Sequence, residues 1–553
     1  MRHRFTTLAD LLEYTTTVNR NRLASDFVDG GCSYTYSQFR DKADQLSGLL
    51  GTFGLNPADK VAILSENMPN WAVAFFAITA HGRIAVPMLP DLSPNEVENI
   101  LVHSEAKAIF VSQKQLPKIS KESYNRLNII IDISTFDLIK AEDESYTCDG
   151  RSKVPDATDI AAIIYTSGTT GNAKGVMLSH RNFCHNVLEA WYAHKVYRRK
   201  DVFLSILPLA HTYEMSIGML YPLSTGCPVY YIQKPPTPTI LSQALLKIRP
   251  TTILSVPLII EKVIRGKIFP TIAGSKYLRY LKKHFPHVLY FLVGKKVKQQ
   301  FGGRVRFFGV GGSKLDREVE EFLRNIKFPY AIGYGLTETA PLICDAGPKR
   351  THLGTTGTAS YEVQVRLADV NPETGQGELQ VKGPNVMLGY YKDYARTRAV
   401  MTDDGWMRTG DIATMDKKGR YSILGRSGNV IIGASGENIY PEEIESVINK
   451  ISDVNESLVI SRAGQLVALV QFNEGAVDWN LEGQEKFLEN IERRKKEVME
   501  FVNSKVSHFL KIRDVEVMKE PFNKTATHKI RRFLYQDKNE KCGKGDSPQF
   551  HKK

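Results

Sequence analysis

The chain lacks any uninterrupted apolar run near the ~18 residues that a membrane-spanning helix requires, although 42% of its 553 residues are hydrophobic. Its opening, MRHRFTTLADLLEYTTTVNR, is broken by polar side chains where a secretory leader would carry an apolar stretch. Cysteine is sparse: Cys32, Cys148, Cys184, Cys227, Cys344 and Cys542 lie far apart, with no CxxC pair and no histidine at metal-ligand spacing. This argues against a zinc site or a disulfide framework and fits a reducing compartment. The expectation is a cytoplasmic protein, with a peripheral position at the inner membrane face as the one membrane option. At 24% charged, the composition is that of a globular protein, and the length suggests roughly two to four domains.

A more local absence matters most. Between Lys262 and Leu315 there are thirteen Lys/Arg and no Asp or Glu. The whole chain carries 73 basic against 60 acidic residues, a net charge of +13, so outside this stretch 60 basic residues meet 60 acidic ones. A local excess needs a local partner, and nucleic acid, anionic lipid and a phosphorylated substrate all meet that description.

Short apolar runs (VAILS, IAVPM, AIFVS, NIIIDI, IAAIIYTSG, DVFLSILPL, PVYYI, TTILSV) alternate with helix-like stretches such as WAVAFFAITAHG. That pattern predicts strands buried on both faces with crossover helices, an α/β fold with mainly parallel sheets. After residue 354, VQVRLADVNPETGQGELQVKG and WMRTGDIATMDKKGRYSILG alternate with period two around turn residues, predicting antiparallel hairpins in a small β-barrel. The Gly/Ser-punctuated segment from Gly425 opens a helix at Pro441, with Glu442, Glu443 and Glu445 near its positive end. The expected division is a large N-terminal domain over 1–425, a small α+β C-terminal domain over 426–536, and a disordered tail over 537–553. Leu488, Ile491, Val498, Val502 and Val506 recur at helical spacing inside the small domain.

The densest chemical signal is Tyr165-Thr-Ser-Gly-Thr-Thr-Gly-Asn-Ala-Lys-Gly-Val176, directly after the apolar run IAAII. Its glycines expose backbone N–H groups, its hydroxyls add donors and Lys174 adds charge, which together suit a polyphosphate. It is not a Walker A loop, because Ala173 and Gly175 stand where glycine and a hydroxyl belong. Gly309-Val-Gly-Gly-Ser-Lys314 likewise fails the dinucleotide fingerprint at Lys314.

On these residues the chain resembles the AMP-forming adenylating enzymes, the superfamily of acyl-CoA synthetases, luciferases and adenylation domains. Four further segments match in order: Tyr334-Gly-Leu-Thr-Glu-Thr339, Gly405-Trp-Met-Arg-Thr-Gly-Asp411, Gly425-Arg426 with Gly436-Glu-Asn-Ile-Tyr-Pro-Glu-Glu-Ile-Glu445, and Lys524-Thr-Ala-Thr-His-Lys529. The resemblance implies a phosphate loop of Thr166, Ser167, Gly168, Thr169, Thr170, Gly171 and Lys174. It implies an adenine site of Tyr334 and Gly335 against Gly311, Gly312 and Ser313. Thr337 would contact phosphate, and Glu338 would hold Mg²⁺ with Thr166 as a second candidate. Asp411 would accept both ribose hydroxyls, Arg426 would reach the ribose and α-phosphate, and Lys529 would stabilise charge as a carboxylate attacks the α-phosphate. Lys529, Lys174 and Glu338 are thus the expected catalytic residues. Two departures stand out: His528 replaces a usual glycine, and Gly428 follows Arg426 where a charged hinge residue is common.

The implied reaction uses ATP, Mg²⁺ and CoA: an acyl-adenylate forms, then a thiol displaces AMP. ILPLAHTYE, the long basic and aromatic region and GENIYPEEIE resemble the long-chain fatty acyl-CoA synthetase branch, with His211 near the acyl pocket or ATP. Apolar runs near 203–221 and 252–260 are candidates to line an acyl tunnel. An enzyme loading an acyl carrier protein shares these motifs. A non-catalytic binder of membrane or nucleic acid would have no chemical reason to keep Lys529, Asp411 and Glu338. The basic stretch, interleaved with Tyr277, Tyr280, Phe285, Tyr290 and Phe291, is then read as a contact for anionic membrane lipid rather than nucleic acid.

Overall fold

The computed structural model describes residues 5–141, 153–167, 173–193, 200–234, 237–433, 437–477, 484–525 and 529–536. Gly168, Thr169, Thr170 and Gly171, together with Gly436, His528 and the tail 537–553, lie outside the described residues.

Each apolar run named above becomes a strand, and each divides between two cores because side chains alternate across a sheet. In Lys60–Leu64, Val61 and Ile63 enter one cluster while Ala62 and Leu64 enter another. Ala108–Val111 and Ile129–Asp132 divide the same way. In the second large sheet, Phe203, Leu254 and Phe307 join the first cluster, while Leu204, Ile253 and Phe308 face a third. One core therefore lies between the inner faces of two sheets, and each sheet carries a further core outside. The helix Pro69–Thr79 sits in that central layer with every residue buried, which is why it is apolar all round.

The sheets have nine and eight strands, parallel at their centres and antiparallel at the edges. The hairpin reading after residue 354 corresponds to Gln364–Ala368 paired with Gly377–Lys382, and Met407–Met415 paired with Tyr421–Arg426. Where the sequence suggests a small barrel, these described strands form an open four-stranded sheet whose outer strands share no pairing. Four strands are too few to curl back on themselves around a filled interior.

The C-terminal part has its own three-stranded sheet, Val454–Arg462, Gln465–Phe472 and Asp514–Met518, with Pro441–Ile448 and Gln484–Asn503 packed in a separate core. Val498 and Val502 of the long helix are buried there, but Leu488, near its start, is exposed. Two ion pairs tie this part to the large one: Arg531 to Glu96 at 2.8 Å and Lys450 to Asp316 at 3.4 Å. Among the described residues no helix is long and apolar enough to cross a membrane.

Candidate active site

Ligands of parallel α/β sheets bind beyond the carboxyl ends of strands. The parallel strand Phe307–Val310 ends at Gly311, Gly312 and Ser313, beside Tyr330–Gly335. The glycines here are forced by neighbours. A Cβ on Gly309 would stand 2.6 Å from the Tyr213 hydroxyl, one on Gly311 would meet that ring at 3.2 Å, and Gly312 has φ +89°. At Gly335 a Cβ would lie 1.7 Å from the Pro341 carbonyl oxygen, so no side chain fits. Tyr334 thus leaves its strand between two residues that add no bulk.

The Tyr334 hydroxyl donates to Asp411 Oδ2 at 2.6 Å, and Arg426 Nε forms an ion pair with Asp411 Oδ1 at 2.8 Å. Asp411 and Arg426 face each other across the Met407–Met415 and Tyr421–Arg426 ladder, so β register rather than sequence proximity joins them. Arg426 Nη1 also donates to the Thr409 carbonyl at 3.2 Å. Asp411 is only 4% exposed. Burial raises its pKa, with the Arg426 guanidinium and the Tyr334 hydroxyl acting in the opposite sense. Burial and the adjacent carboxyl push the Tyr334 phenol far up, so it remains a donor. One carboxyl oxygen accepts from Tyr334 and the other is paired with Arg426, and each retains a lone pair for a diol.

Glu338 stands on a single turn, Thr337–Thr339, and its Oε1 accepts from the Tyr390 hydroxyl at 2.9 Å. Lys174 Nζ lies 5.1 Å from the Tyr390 ring centroid, within cation–π range. Burial draws the Lys174 ammonium below the ordinary lysine range, while Glu338 pulls it back up. Lys174, Leu336, Glu338, Tyr390, Thr409 and Arg426 are among the residues that line a cavity of about 270 Å³. The phosphate-loop segment is a hairpin of Ile160–Ser167 and Ala173–Ser179, with Thr166 opposite Lys174.

Lys529 comes from the C-terminal part. The residue as a whole is exposed, yet its amine is enclosed enough for burial to lower its pKa. Arg426 adds repulsion, and Asp411 and Glu338 act the other way, so the amine lies within electrostatic reach of all three. Its backbone N–H donates to Thr525 Oγ1 at 3.2 Å, and the Thr525 N–H donates back to the Lys529 carbonyl at 2.8 Å. His211 is brought to the same region: burial lowers its pKa to about 4 and Lys529 contributes further. Its Nδ1 accepts the Tyr213 N–H at 3.3 Å, so a neutral ring carries its proton on Nε2.

Tyr390 and Tyr213 are the residues the sequence reading missed. Tyr390 reaches Lys174 because Gly389–Tyr390 pairs with Val176 and Met177, a contact between strands distant in sequence that no local pattern announces. Tyr213 is two residues from His211 but packs on glycines near residue 310, again through the sheet. The runs proposed to line an acyl tunnel are buried in the strands Phe203–Ser205 and Thr252–Ser255 and the helical segment Glu214–Leu220.

For Mg²⁺ the donor set is adequate. No cluster of three or more His, Cys, Asp or Glu occurs among the described residues, but Mg²⁺ bound to a nucleotide needs only one or two protein carboxylates besides phosphate oxygens. Glu338 supplies one.

Comparison with known proteins gives the same picture from outside. Residues 12–391 match the family described as AMP-binding enzyme. "Long chain acyl-CoA synthetase 7, peroxisomal" from Arabidopsis thaliana is 32% identical over 509 residues, covering 83% of this chain and 71% of its own. Fatty acyl-CoA synthetase A from Dictyostelium discoideum is 28% identical, over 75% of this chain and 67% of its own. In fold, o-succinylbenzoate coenzyme A synthetase from Bacillus subtilis, solved with ATP and magnesium ion, superposes with a TM-score of 0.75 at 21% identity, covering 94% of this chain and 98% of that one. With cations, carboxylates and strand-end glycines gathered from five separated segments, and a match over most of its length, the chain belongs to the AMP-binding enzyme family and resembles within it the long-chain acyl-CoA synthetases.

Proposed function

We propose that this protein is an AMP-forming fatty acid:CoA ligase for medium- to long-chain acids. The observation that carries the reading is the convergence of Lys174, Arg426 and Lys529 on Asp411 and Glu338 beside one cavity, with no thiol among the groups that build it. Such a site suits phosphoryl chemistry, which asks for positioning and charge stabilisation rather than a covalent protein nucleophile.

In this reading Tyr334 and the strand-end glycines hold the adenine, and Asp411 accepts the ribose hydroxyls while Arg426 and Tyr334 keep it ionised and oriented. Thr166, Ser167, Gly168, Thr169, Thr170, Gly171, Lys174 and Thr337 cradle the phosphates. Glu338, with Thr166, would hold Mg²⁺, which when bound neutralises phosphate charge. Lys529 places its ammonium on the α-phosphate as the substrate carboxylate attacks and pyrophosphate leaves. A thiol of CoA then attacks the acyl carbonyl and AMP departs. His211, a neutral donor at Nε2, stands near the acyl pocket or ATP. The parts 1–425 and 426–536 act as body and lid, with Gly428 leaving the junction free of a side-chain lock. A fatty acid would gain ~0.8 kcal/mol for each methylene removed from water.

The test is kcat/KM for acids from C6 to C18 with ATP and CoA. The reading predicts AMP, pyrophosphate and free acyl-CoA, with a rising preference as the chain lengthens beyond C8. Adenylate formation with no acyl-CoA under any condition would instead favour loading of a carrier protein, and no pyrophosphate with any carboxylate would overturn the reading.

A further inference from the structure

The acid-free stretch folds into two consecutive helices, Lys276–His284 and Pro286–Gln300. The second has two apolar faces. Leu289, Val293 and Val297 pack into the core that also holds Phe308 and Val310, the strand leading to the adenine-side glycines. On the opposite side Val288, Phe291, Leu292 and Lys295 recur at i, i+3, i+4 and i+7 and face outward. Phe291 is 72% exposed, and Tyr277 on the preceding helix is 63% exposed. Tyr290, by contrast, turns inward and packs against Phe322, so it leaves the surface that the sequence pattern assigned to it.

Around this apolar strip Arg279, Lys282, Lys283, Lys295 and Lys296 are all exposed, and none makes an ion pair among the described residues. Other basic residues of the stretch do pair: Arg265 meets Asp316 and Glu318, and Arg306 meets Asp201. Lys262, Lys267, Arg304 and Lys314 are likewise exposed without an ion pair among the described residues, so what sets the helical hairpin apart is that its cations flank an exposed apolar strip.

We propose that the hairpin of Lys276–His284 and Pro286–Gln300 is a docking surface for a bilayer containing anionic lipid. The bilayer interface accepts both halves of the pattern, since apolar side chains insert at the headgroup boundary while lysines stay at the charged surface. A nucleic-acid backbone would neutralise the lysines but leave Val288, Phe291 and Leu292 in water. A second copy of the chain would bring two acid-free faces together. A protein that activates a lipid-soluble acid gains from working beside the phase that holds it, but the docking surface stands on its own residues and does not rest on that reading.

The test is co-sedimentation of the full chain with vesicles of phosphatidylcholine alone or with phosphatidylglycerol. Binding should require phosphatidylglycerol and fall away near 1 M salt, where the screening length is about 3 Å. Replacing Lys282, Lys283, Lys295 and Lys296 together by Gln should weaken binding roughly 10²-fold or more at about 1 kcal/mol per basic residue. Phe291→Ser with Leu292→Ser should weaken it roughly tenfold or more with all charges retained. Both variants should keep the parent melting temperature, which separates lost docking from lost folding. Equal binding to neutral and anionic vesicles, no binding to either, or binding unchanged in both variants would overturn the proposal. So would a chain that ignores vesicles and instead binds an acidic carrier protein through the same lysines.

Discussion

The cations of this protein fall into two groups that differ in what surrounds them. Arg426 is paired with Asp411, Lys174 lies over the Tyr390 ring, and the Lys529 amine is within electrostatic reach of Asp411 and Glu338. Lys282, Lys283, Lys295 and Lys296 stand in solvent with no acidic partner among the described residues. The first group is enclosed at a cost in desolvation, which is worthwhile only for a ligand of defined shape and charge. The second is free to adapt, which suits an extended surface of diffuse charge. Net charge alone, +13 for the chain, reports the second group and hides the first.

The comparison breaks most sharply at Lys529. Lys529→Ala should lower adenylate formation by roughly 10²–10³-fold, the usual loss for one preorganised transition-state donor, while thioester formation from preformed acyl-AMP stays near the parent rate. Pyrophosphate release and acyl-AMP chase experiments read the two halves separately. An equal fall in both would contradict the assigned role. Next comes Asp411→Asn, which keeps an oxygen acceptor for Tyr334 but removes the charge facing Arg426. A charged hydrogen bond contributes ~1.5–3 kcal/mol, so kcat/KM for ATP should fall roughly tenfold to 10²-fold.

A third prediction concerns pH. Burial lowers the pKa of Lys529, so its charge should be lost, and adenylate formation should decline, at a pH below the ordinary lysine value. Lys529→Arg should move that alkaline limb upward even if the rate is reduced, and a limb that does not move would assign it to another group. Glu214 sharpens the contrast from the acidic side. It is 1% exposed with no cation among its causes of shift, and burial raises its pKa to about 8. A raised carboxyl pKa gives stability that is full below the unfolded value and is lost as pH rises through the folded one. Glu214→Gln should therefore become progressively more stable than the parent between about pH 4.5 and about 8, as read by thermal melts. The smallest effect is expected at the surface group: Lys295→Gln with Lys296→Gln should change folding stability by no more than about 0.5 kcal/mol.

Much of this was legible in the sequence, for reasons that differ by element. Runs such as VAILS are apolar at consecutive positions because both sheet faces are covered, so strand and environment could be read together. The site motifs were legible because each is local: Thr409 and Asp411 on one strand, Thr337 and Glu338 on one turn. What escaped depends on pairing at a distance. Tyr390 meets Lys174 only through a strand ladder, and the open antiparallel sheet differs from the expected barrel through which edges pair, which alternation along one strand does not encode. Tyr290 and Phe291 are adjacent aromatics in one basic helix, and only the packing against Phe322 separates the half-buried one from the exposed one.

The most direct measurement is product analysis with the purified chain, ATP, Mg²⁺ and palmitate, with and without CoA. The account predicts palmitate-dependent pyrophosphate and enzyme-held palmitoyl-AMP without CoA, and equal amounts of AMP and palmitoyl-CoA once CoA is added. Release of ADP and phosphate, or pyrophosphate formed at the same rate without any carboxylate, would contradict it.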